Sequence, residues 1–117
     1  MSLELDNQSL FAELKSKYNL QEIVFAGNTY LQFSKDHLVK FNLIHTTRNP
    51  AIITIYNHTV LNDVILSFDD DCSIYNTERI NTVIQLSIES INQYFLLQKQ
   101  KKLKQKFQDI DNDFTWL

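Results

Sequence analysis

A chain of 117 residues, 44% hydrophobic and 21% charged, is long enough to bury one core without staples and too short for two domains of usual size. Its 11 basic and 14 acidic side chains leave a formal net charge of -3, which excludes whole-molecule attraction to nucleic acid or to an anionic membrane. The lone cysteine, Cys72, excludes an intramolecular disulfide and any zinc site that needs several thiolates from one chain.

Glu4, Asp6, Glu13, Lys15 and Lys17 interrupt the first twenty residues, so no signal-peptide core is read there, and no window is apolar enough to span a membrane. A cytoplasmic protein is the expectation. The richness in Ile, Asn, Gln and Lys fits an AT-rich coding genome such as those of many low-GC bacteria and phages. With one Gly and one Pro, turns must rest on Asn and Asp, which tolerate the left-handed region better than other residues with a side chain.

Residues 1–6 read as a tether. From Asn7 a short helix is predicted, with Leu10, Phe11, Leu14 and Tyr18 on one face and Asp6 or Asn7 as its cap. About three turns cannot stand alone, so this face must dock. Gly27-Asn28 reads as a two-residue hairpin turn between strands 22–26 and 29–34. Lys35-Asp36 then turns into a strand over 37–44. Residues 46–50 form a loop, because Pro50 keeps Asn49 out of helix. Strands 51–56 and 61–68 follow, separated by Asn57-His58-Thr59, and Asp69-Asp70-Asp71 reads as a loop into the last helix. Such short connections leave no room for crossover helices, so neighbours must pair antiparallel.

Residues 76–107 carry Ile80, Ile84, Ile88, Ile91 and Phe95 at helical spacing, with Ser73 or Asn76 as the cap. The whole is expected to be one α+β domain: a two-layer sandwich of a five-stranded antiparallel meander, with the short N-terminal and long C-terminal helices on one face. Strands of ordinary length reach about 20 Å, whereas the long helix needs roughly 48 Å. From Gln98 onward, residues 98–117 should therefore overhang, fold back, or find a partner.

That mismatch carries the functional expectation. Leu103, Phe107, Ile110 and Phe114 recur at four, three and four residues, and with Trp116 they form an apolar row suited either to packing on the same chain or to contact with another. The predicted function is non-enzymatic protein binding through this row, as an adaptor, inhibitor or immunity-type protein, and as a homodimer. In outline the order of elements resembles small bacterial and phage chaperones and inhibitors, a likeness of architecture alone.

The alternative is nucleic-acid binding, either by Lys99, Lys101, Lys102, Lys104 and Lys106 or by base stacking on Tyr30 and Tyr56 of the uncovered sheet face. Tyr30, Gln32, Lys40, Asn42, Thr54 and Tyr56 are expected to share that face. No catalytic residue, metal site or cofactor is predicted. His37, His45 and His58 lack paired spacing, and aspartates beside Cys72 would raise its thiol pKa. Asp69-Asp70-Asp71 reads as a solvated acidic loop. Asp109, Asp111 and Asp113 copy the start of a calcium loop, but Phe114 stands where that loop needs Gly.

Overall fold

The computed structural model describes residues 6–36 and 39–114, with side chains described as far as Lys106 apart from Asp36. These residues form two helices and five strands in the order α1 (Asn7–Lys17), β1 (Gln21–Phe25), β2 (Asn28–Asp36), β3 (Val39–Thr46), β4 (Ile52–Leu61), β5 (Val64–Ser73) and α2 (Thr77–Phe114). The strands make one open antiparallel sheet in sequence order, and both helices lie on it, as the sequence predicts.

Asp6 caps α1, its carboxylate accepting from Ser9 N–H at 2.8 Å, and that bond holds the carboxyl below its ordinary pKa. Asn7 has a different role. It is buried, and its Nδ2 lies 2.9 to 3.1 Å from the carbonyls of Thr47, Asn49 and Ile52, so one side chain satisfies the bend between β3 and β4. Leu10, Phe11 and Leu14 enter the core, and Lys17 Nζ and Tyr18 Oη both donate to Asn81 of α2.

Three turns fall elsewhere than predicted, the predicted turn residues Lys35 and Asp36 lying inside β2, where Asp36 pairs with Val39. Phe25 pairs with Asn28, so the first turn is Ala26-Gly27, at φ 52° and 78°. Leu61 pairs with Val64, so the second is Asn62-Asp63, at φ 50° and 67°, and Asn57, His58 and Thr59 lie inside β4. Both turns need positive φ at two successive residues, which matches the right-handed strand twist; for Ala26 this costs about 1 kcal/mol. Asp69, Asp70 and Asp71 are likewise strand residues, opposite Tyr56, Ile55 and Thr54.

The core lies between sheet and helices. Leu31, Leu43, Ile44, Ile53 and Ile55 from the strands meet Ile74, Ile80, Ile84 and Ile91, with Ile88, Phe95, Phe33 and Phe41 packed at its margin. Leu43 and Ile44 are both buried because the β2–β3 register shifts between Leu31 and Gln32, which breaks the expected alternation. Asn76 caps α2, its Oδ1 3.4 Å from Arg79 N, and Arg79 pairs with Asp70.

The sheet is not uniform. β3 pairs with β4 only at Ile44–Ile55, His45–Thr54 and Thr46–Ile53, after which the strands part. Ser87 of α2 takes the vacated place: its hydroxyl donates to Tyr56 C=O (2.9 Å) and accepts from His58 N–H (3.0 Å). The His58 ring bridges the gap, Nε2 to Asn42 C=O at 2.7 Å and Nδ1 to Ser67 Oγ at 2.6 Å. The carbonyl can only accept, so Nε2 carries the proton.

Candidate interaction surface

The helix outruns its support later than Gln98. β4 and β5 each span ten residues, about 33 Å, rather than the usual five or six. Their tip therefore reaches far along α2, where Asp63 lies 3.5 Å from Lys101. Both groups are half exposed, so the pair contributes little energy, but it marks where the sheet ends. Beyond Lys101 the helix continues unbroken to Phe114, about 20 Å more. The chain measures 80 × 23 × 23 Å with a radius of gyration of 18.9 Å, against about 13 Å for a compact chain of this length.

The apolar row of this extension is not a continuation of the core row. At about 100° per residue, Ile80, Ile84 and Ile91 share one side of α2, whereas Leu96 and Leu103 lie about 130° around from it. Their exposures agree: the isoleucines are closed to solvent, while Leu96 and Leu103 are 56% and 55% exposed. Leu103 faces about 160° away from Lys101, which is turned to the hairpin tip. Phe107, Ile110 and Phe114 belong to the same helix, but their side chains, and Trp116 altogether, lie outside the described residues. Lys99, Lys101, Lys102, Lys104 and Lys106 are all exposed.

The register also creates an apolar patch that the sequence reading missed. Leu61 opposes Val64, Thr59 opposes Leu66 and Asn57 opposes Phe68, so four large apolar side chains share one face of the outer hairpin, all substantially exposed. Misplacing the second turn hid it, because a shift of register exchanges the two faces.

The uncovered sheet face is more enclosed and more acidic than predicted. Tyr30, His45 and Thr54 oppose one another in one ladder, with Asp71 at its end and Asp69 opposite Tyr56. The His45 ring sits 5.1 Å from that of Tyr30 and 5.5 Å from that of Tyr56, and His45 Nδ1 shares a 2.7 Å hydrogen bond with Tyr56 Oη. Thr54 is buried, donating to Asp71 Oδ1 at 2.6 Å. Gln32 Nε2 donates to Asn42 Oδ1 at 2.7 Å, and Gln32 Oε1 is enclosed without a partner. Burial, with Tyr30 and the two aspartates adding to it, pushes the Tyr56 phenol up to about 12. Two carboxylates beside Tyr56 oppose the approach of phosphates, which weighs against stacking of nucleic acid there.

His45 and His58 are both held below the ordinary histidine pKa, chiefly by desolvation; Asp71 and Asp69 oppose the shift at His45, as the Asn42 carbonyl does at His58. A base whose folded pKa is depressed binds protons more readily when unfolded, so its contribution is complete above about pH 6.5 and is lost as pH falls below it. Urea midpoints are expected to fall between pH 7.5 and 5, with His58→Gln flattening the decline; equal midpoints at both pH values would refute this.

Burial pushes the Cys72 thiol up, against the pull of Arg79. Among the described residues no group of histidine, cysteine and carboxylate side chains could hold a metal ion, and no helix is long and apolar enough to cross a membrane. The protein is thus an α+β protein that exposes apolar side chains on α2 and on the outer hairpin, and also at Val24 and Phe25 of β1 and at Tyr75. Compared with known proteins, the chain matches no family, no curated protein and no solved structure.

Proposed function

We propose that this protein works by binding another polypeptide through the C-terminal extension of α2, as an adaptor, inhibitor or immunity-type protein. The observation that carries the reading is the phase change along the helix. One row of apolar side chains is used up against the sheet, and a second row, beginning at Leu96 and Leu103, emerges on another side, where both leucines are more than half exposed. A helical segment of this length is marginal in water without tertiary packing, so a partner would stabilise it as well as be recognised by it. Burying an exposed leucine is worth roughly 1.5 to 3 kcal/mol before ordering costs, and the flanking charges would set partner choice and on-rate.

The full chain and a chain ending at Lys102 are compared by sedimentation at tens of micromolar and as baits in cells that express the protein's natural gene neighbours. The full chain is expected to carry a second polypeptide, copy or foreign, that the shortened chain loses. The reading falls if the full chain is monomeric and captures nothing that the shortened chain does not. Exposure of all five lysines favours nucleic acid as the second reading, and a steep loss of binding between low and moderate salt would identify it.

A further inference from the structure

We propose that the polypeptide received by the extension is a second copy of this chain, its helix running antiparallel to the first over residues 103–114. This rests on reading the extension as a contact surface. It adds the occupant and its direction, and three observations carry it.

The first is the repeat. Leu96, Leu103 and Ile110 stand seven residues apart, as do Phe107 and Phe114, which are the d and a positions of a heptad that two facing helices can share.

The second is the order of charge. Lys99, Lys101, Lys102, Lys104 and Lys106 form a basic block, and Asp109, Asp111 and Asp113 form an acidic one directly after it. Antiparallel pairing lays each block over the opposite block of the second copy. With Phe107 layered against Ile110 of the second copy, and Leu103 against Phe114, the flanking e positions set Lys104 across from Asp111 and the g positions set Lys106 across from Asp113. Each contact occurs twice by symmetry, and no like charges meet. Parallel pairing keeps the attraction of Lys106 for Asp111 but places Lys99 against Lys104 on both sides, two repulsions that the antiparallel arrangement avoids.

The third is length. The hairpin tip lies at Lys101 and residues 103–106 are exposed, while the helix runs on to Phe114, which gives the length that antiparallel overlap requires and sets the two sheets at opposite ends of the pair. Parallel pairing would bring both sheets to the same end, one beside the other.

The sign of a single charge reversal separates these arrangements. Lys104→Glu turns two attractions into repulsions in the antiparallel pair and relieves two repulsions in the parallel one. Dimer dissociation, followed by sedimentation over a dilution series at low salt, is expected to become about tenfold easier for this variant. A tighter dimer would overturn the direction, as would a variant indistinguishable from the natural chain. Spin labels at Gln93, an exposed position, in a Cys72→Ser background provide a second measurement. Antiparallel helices place the labels about 45 Å apart, whereas parallel ones keep them within roughly 20 Å. A full-length chain that stays monomeric yet captures a foreign polypeptide through the extension would end self-pairing alone. A monomer that captures nothing would end the underlying reading as well.

Discussion

Replacing Ser87 with alanine is expected to destabilise the fold by about 2 to 4 kcal/mol, although the residue touches no candidate surface and alanine is the better helix former. Ser87 is fully buried on α2, and its one hydroxyl serves two backbone groups of β4, the Tyr56 carbonyl and the His58 N–H. β3 has already turned away at this point, so no strand stands ready to take over either group. Each orphaned backbone group costs about 1 to 3 kcal/mol, against a gain in helix propensity of only a few tenths. A domain of this kind has about 5 to 15 kcal/mol in all, so the loss should be plain in the urea midpoint. Ser87→Cys, which keeps the size and a weak donor, should fall between alanine and serine. If alanine shifted stability by less than about 0.5 kcal/mol, water would have to reach the gap, and Ser87 would not be the substitute for the missing strand.

Ser87 also shows where the sequence is legible and where it is not. Isoleucine spacing along residues 80–91 is a direct signal of a buried helical face, and every one of those positions packs as predicted. Strand identity was legible too, since runs such as Ile52-Ile53-Thr54-Ile55 admit few other readings. The length of a strand was not. Asn57-His58-Thr59 has the composition of a turn, yet these residues pair in β4 because His58 finds Ser67 and the Asn42 carbonyl across two neighbouring strands, a requirement that local spacing cannot express. Asn62-Asp63 accepts the same left-handed turn with fewer demands, and Asp69-Asp70-Asp71 is drawn into β5 by Thr54 and Arg79. Those two changes lengthen the outer hairpin, move the end of the sheet from near Gln98 to Lys101, and expose Leu66 and Phe68 on a common face. The apolar row of the extension was visible in the spacing of Leu103, Phe107, Ile110 and Phe114. Its separation from the core row was readable by counting on from Phe95, since the next apolar residue of the extension's row, Leu103, comes eight residues later and so stands about 80° further around the helix, a break in the stripe.

That break gives the other large effect, a pair of substitutions on one helix with opposite consequences. Ile91→Ala is expected to cost about 2 to 5 kcal/mol of stability, since the side chain is closed to solvent between α2 and the sheet and its removal leaves a cavity the isoleucine cluster can only partly fill. Leu103→Glu, twelve residues on, should leave the urea midpoint within about 0.5 kcal/mol of the natural chain, because its side chain is already half in water. In association the order reverses. At temperatures where both variants are folded, Ile91→Ala should keep whatever second chain the extension carries, whereas Leu103→Glu places a charge in an apolar layer of the contact, once from each copy of a symmetric pair, and should release it, raising the dissociation constant by about a hundredfold or more. The two measurements must be read together. If Leu103→Glu unfolded the protein, the extension would be part of the core and the row an internal one. If Ile91→Ala and Leu103→Glu weakened association equally, the contact would depend on overall stability rather than on a face. Only a loss of binding at Leu103 without a loss of folding divides α2 into a half that closes the sheet and a half that reaches beyond it.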